Sequence, residues 1–67
     1  MTPAELRQWI DTQTNEKGRR ISDAEAARRL GCSPNGLRAW LEGKRPVPLT
    51  IALACAALAR GIAPWPQ

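Results

Sequence analysis

Leu6, Trp9 and Ile10 recur at i, i+3 and i+4, while Arg7, Gln8, Asp11 and Thr12 fall on the opposite face. That period predicts a short amphipathic helix. It opens at Pro3, because Thr2 can accept from orphan amides, Pro3 suits the first helical position and Glu5 stands where a capping box places its acid. The pattern fades near Gln13. Thr14 to Arg20 is polar, aperiodic and contains Gly18, so it predicts a loop, with room for a frayed extra turn of helix before the glycine.

Ser22-Asp23-Ala24-Glu25 repeats the start signal, with Ser22 as N-cap and Glu25 as its capping-box partner. A second helix is predicted over Asp23 to Leu30, stopped by Gly31, the residue that leaves a helix most readily through a left-handed conformation. Ser33-Pro34 then starts a third helix almost at once, which runs to Leu41 or Glu42 before Gly43. Two helices joined by a three-residue turn hold one another at roughly 90–120°. Gly43 to Pro48 is a basic connection stiffened by two prolines. From Leu49 to Arg60 ten of twelve residues are apolar, so a fourth helix is hydrophobic nearly all round, and Gly61 ends it. Residues 62–67 form a Pro-interrupted tail in which Trp65 can fold back or meet a partner.

Composition narrows this picture. Sixty-seven residues make one small domain, residues 1–67, since a chain of that size buries only about 60% of its unfolded surface. Three Trp, no Phe or Tyr and many Ala call for close packing of small residues around a few large ones, which favours an all-α fold. A domain so small cannot cover an all-apolar helix on every side, so a second subunit is expected against Leu49, Ile51, Leu53, Leu58, Ile62 and Trp65. His is absent, which removes the commonest general base and the commonest metal ligand; no enzyme activity, metal or cofactor is expected. Cys32 and Cys55 without His cannot complete a tetrahedral zinc site and read as free, buried thiols. Met1-Thr2-Pro3-Ala4 has neither the basic nor the apolar region of a secretory leader, and the longest apolar run, Ile51 to Ala59, is about half a bilayer crossing. The expectation is a soluble, cytoplasmic protein with no membrane partner.

The net charge of +4 points to a polyanionic partner, nucleic acid before membrane. Its distribution sharpens the point, because Lys17 to Arg45 carries +5 and the remainder −1.

The segment Asp23 to Glu42, DAEAARRLGCSPNGLRAWLE, followed by GKRPVP, resembles the helix-turn-helix of the phage repressor and Cro family, the lambda-repressor-like domains. A small residue, a turn glycine four positions on, an apolar residue six further and another three further are here Ala27, Gly31, Leu37 and Trp40. Ala27 lets the two helices cross closely, Gly31 supplies the turn, and Leu37 and Trp40 pack the second helix on the first. The resemblance implies a small four-helix domain with its motif at residues 22–42 and its second motif helix in the major groove of DNA.

Carried over by position, the base-reading candidates are Ser33, Pro34, Asn35, Arg38 and Ala39. Arg38 suits guanine and Asn35 adenine. Ser33 is better placed to cap the helix, and Gly36 suits a close approach of backbone to DNA. Arg19, Arg20, Arg28, Arg29, Lys44 and Arg45 are the phosphate candidates, against the plainer reading of solvated arginines and lysines. The first motif position, often Gln and near a phosphate in the family, is Asp23 here, a carboxylate that favours the helix N-terminus and repels phosphate.

The expected function is a homodimeric, sequence-specific transcription regulator of double-stranded DNA. It would be a repressor of the phage or mobile-element kind that occludes a near-palindromic promoter site, its own included, with no small-molecule ligand. The alternative is an antitoxin-like module whose apolar fourth helix grips another protein.

Overall fold

The computed structural model describes residues 1–63. Its described residues form four α-helices in the order α1 (Pro3–Thr12), α2 (Asp23–Leu30), α3 (Pro34–Leu41) and α4 (Leu49–Ala59). The only extended pairing among them is a single antiparallel bridge between Thr14 and Arg20. No described helix is long and apolar enough to cross a membrane.

Local chemistry sets three of the four helix starts. The Thr2 hydroxyl accepts from the Glu5 amide at 3.1 Å and the Glu5 carboxylate accepts from the Thr2 amide at 2.8 Å, a complete capping box. Ser22 Oγ accepts from the Glu25 amide at 3.1 Å, and Ser33 Oγ accepts from the Gly36 amide at 3.0 Å. The expected return half of the box at Ser22 does not form, because the Glu25 carboxylate turns along the helix to Arg28 at 2.8 Å and Arg29 at 3.6 Å. Pro48 enters α4 without a side-chain cap. At the end of α2, Gly31 takes φ 74°, the left-handed region, and its amide together with that of Cys32 closes the last turn.

The connection between α1 and α2 is a loop, as expected, without the frayed helical turn. It is a tight reversal built by Asn15, whose side-chain oxygen accepts from the amides of Lys17 at 2.9 Å and Arg19 at 3.1 Å. A short polar side chain that captures nearby amides offers the backbone a turn instead of a helix. Gly18 takes φ 75°, the Asn15 amide donates to the Arg19 carbonyl at 2.8 Å, and the chain doubles back so that Ile21 enters the core at 7% exposure.

The core joins Leu6, Trp9 and Ile10 of α1, Ile21 from the reversal, Ala26 and Ala27 of α2, Leu37 of α3, and Ile51 and Cys55 of α4. Leu30, Cys32, Trp40, Leu41, Val47 and Leu58 pack partly buried around it. α3 lies against both α1 and α2, and α4 lies against α2. Burying Ala26 and Ala27 lets the helix backbones approach closely, so that a few large side chains suffice to fill a small interior.

Two expectations about apolar residues change. Ile51, expected at a subunit interface, is 7% exposed within the chain's own core and so is not free to meet a second copy. It lies one turn from Cys55, and the i, i+4 spacing of the pair makes this the inward face of α4. Leu58 is half-buried against the same core. Leu49, Leu53 and Ile62 remain outward, at 74%, 61% and 56% exposure. Trp65 lies outside the described residues. Both cysteines are free thiols, Cys55 buried and Cys32 half-buried.

Candidate nucleic-acid interface

The three-residue turn Gly31 to Ser33 delivers the chain directly into α3, and the Ser33 cap fixes its first turn. Leu37 is fully buried and Trp40 packs against the core, so these two side chains define the inner face of α3. The residues between them must face outward on a helix of 3.6 residues per turn. Pro34, Asn35 and Arg38 are exposed, with Asn35 and Arg38 three positions apart on one face. Ala39 is half-buried, at the margin of that face. Ser33 is exposed but its oxygen is committed to the cap.

Gly36 is half-buried in the first turn of α3. A Cβ built there would lie 3.1 Å from Ser33 Oγ and 4.0 Å from the Trp40 ring. The missing side chain therefore leaves room for the Ser33 cap, while the indole stands at ordinary contact distance.

The cations divide by what holds them. Arg38 has no ion pair among the described residues, and neither do Arg19 and Arg45. Arg20 pairs with Asp11 at 2.8 Å, Arg28 with Glu25 at 2.8 Å and Lys44 with Glu42 at 3.4 Å, each cation two-thirds or more exposed. Such exposed pairs are weak, typically about 0–1 kcal/mol, and yield readily to a competing anion. Arg29 is engaged inside the domain. It donates to the Thr14 carbonyl at 3.1 Å and to the Gln13 side chain at 3.4 Å, and so ties α2 to the reversal. Of the paired phosphate candidates it is the least exposed, at 29%, and the one held by more than a single acid.

The expected intruder at this face, Asp23, is not left to repel phosphate alone. The Arg7 guanidinium grips it with both prongs, Nη1 to Oδ1 at 3.0 Å and Nη2 to Oδ2 at 3.3 Å. That pair, followed by the charges of Arg20 and Arg38, holds the Asp23 carboxyl below the usual carboxylate range. Arg7 thus brings a cation from α1 to the entrance of α2, near Arg38 of α3. Sequence reasoning placed Arg7 only on the polar face of α1. No local pattern links two residues 16 positions apart, and opposite charge alone is too common a signal to do so.

The site therefore presents, on one helix face, an exposed Asn and an Arg without an ion pair among the described residues. Asn matches the adenine edge and Arg the guanine edge in the major groove. Comparison of the chain with models of protein families, with curated proteins and with solved structures finds no match in any of the three.

Proposed function

We propose that the chain is a sequence-specific binder of double-stranded DNA of the lambda-repressor-like kind, which lays α3 in the major groove and reads bases with Asn35 and Arg38. The observation that carries the reading is the division of α3 itself. Leu37 and Trp40 anchor it to the core while Asn35 and Arg38 stand exposed on the outside, and Arg38 is free of any carboxylate partner among the described residues. A helix turned in this way offers base-reading groups on a rigid support. Arg19 and Arg45, with the exchangeable Arg20, Arg28 and Lys44, supply phosphate contacts that set register.

The protein acts as a homodimer, joined through the outward apolar residues of α4, Leu49 and Leu53, with Ile62 beyond its end. Two α3 helices then meet successive turns of the groove, about 34 Å apart, on a near-palindromic site. Each chain measures 30 × 27 × 18 Å, a size that suits abutting copies to that spacing. Repression follows by occlusion of a promoter in the cytoplasm. The second reading, an antitoxin-like module in which α4 grips a different protein, draws on the same exposed leucines and on an open, mainly apolar groove of ≈ 380 Å³ between the end of α2 and α4.

Selection of DNA from a random pool, followed by mobility shift on the selected duplex, tests the leading reading. Arg38→Ala is expected to weaken binding by about 1–3 kcal/mol and to relax preference at one base pair. Unchanged affinity and preference in that variant would show that α3 is not the reading helix.

A further inference from the structure

The proposed reading helix is not the only source of arginine at its end of the molecule. Resting on the DNA reading above, we propose that Arg7 of α1 is a DNA-phosphate contact and that Asp23 is its internal counter-ion, which holds the guanidinium in the free protein and gives it up to a backbone phosphate on binding.

Geometry carries the argument. The two-pronged Arg7–Asp23 contact, at 3.0 and 3.3 Å, uses the same planar fork with which arginine takes a phosphate. The carboxylate therefore occupies the place of an anion in a site already shaped for one. Both side chains are substantially solvated, 42% exposed for Arg7 and 56% for Asp23, so the contact is open to exchange and not locked in the interior. The location suits DNA as well. Asp23 is the first residue of α2, and the charges that act on its carboxyl come from three separate elements: Arg7 of α1, Arg20 of the reversal and Arg38 of α3. Arg7, Arg20 and Arg38 thus all act on one carboxylate, the position that a phosphate would take. Arg7 and Arg20 are each already turned to a single acid, Asp23 and Asp11.

Exchange of this kind has two consequences. Asp23 competes with phosphate, so it lowers affinity for any duplex. Arg7, once transferred, adds one phosphate contact to the salt dependence of binding, because each neutralised phosphate releases counterions.

The test is fluorescence anisotropy of the full chain on its selected duplex across a roughly tenfold range of salt, with Arg7→Gln, Asp23→Asn and the double variant. Asp23→Asn is expected to bind about fivefold tighter, a gain that misfolding cannot produce. Arg7→Gln is expected to weaken binding and to reduce the log K against log salt slope by about 0.9, and the double variant to keep that reduced slope. A purely structural Arg7 would lower affinity without moving the slope, and that result overturns the proposal, as does an Asp23→Asn protein that binds no tighter than wild type. If wild type binds no duplex at all, the DNA reading itself fails and takes this inference with it.

Discussion

Cys55 shows how a single residue's setting decides its chemistry. It is 2% exposed on the inner face of α4, and burial, with a smaller contribution from nearby Cys32, pushes its thiol up to about 11. Burial also raises the Cys32 thiol, which is less enclosed. At pH 8 an aromatic disulfide reagent is expected to label Cys32 well before Cys55, and loss of that order on mild denaturation would report the opening of the core. The linkage has a definite sign. A thiol whose folded pKa lies above its ordinary value of 9.0 contributes stability that is complete below pH 9.0 and is lost as pH rises toward about 11. Thermal melts should therefore fall across that interval in wild type and less steeply in Cys55→Ala. The burial of Cys55 was legible from its apolar neighbours; that Cys32, expected to be buried as well, is only half-buried was not, because that depends on how the helices pack around the turn.

Among the elements, the α2–turn–α3 unit was the most legible from the chain. Ser22, Gly31, Ser33 and Pro34 each act through bonds within a few residues of themselves, so their meaning is local. Gly31 gives a direct check. It takes φ 74°, and a Cβ there would meet nothing within 4 Å, so the cost of Gly31→Ala is torsional and not steric. A penalty of about 1 kcal/mol is expected, which lowers the melting temperature by about 4–8 °C in a domain of this size. Gly31→Asn should cost less, since Asn tolerates the left-handed region. The reversal between α1 and α2 was less legible. Its signal, Asn15 followed by Gly18, was present, but a polar run reads alike as a loop or a fraying helix until the Asn15 side chain is seen to bind two amides. The place of Ile21 in the core has no local sign either, since a lone apolar residue in a polar stretch has no period to mark its face.

At the scale of the molecule, α4 poses the question of partnership. Its inner face, Ile51 and Cys55, completes the core, while Leu49 at 74% and Leu53 at 61% exposure lie one turn apart on the outer side. Leu53→Glu places a charge on that outer face without touching the interior. It is expected to convert a sedimenting dimer to a monomer with an unchanged helical spectrum, and to reduce affinity for a two-half-site duplex far more than for a single half-site. A wild-type chain that sediments as a monomer would instead favour the reading in which these leucines meet a different protein. A helix apolar on nearly every side hides this division in its own pattern, because periodicity distinguishes faces only where polar residues mark one of them.

The sequence by itself determined the helices, their order and most of their ends, because caps, glycines and hydrophobic periods act over three or four residues. It also singled out the residues on α3 that face outward, since Leu37 and Trp40 leave only one side for Asn35 and Arg38. Tertiary structure alone decided which apolar residues of α4 complete the core, that Arg29 is tied to the reversal, and that Arg7 meets Asp23. Each of these depends on contact between segments distant in the chain, which only the packing of helices against one another brings within a few ångströms.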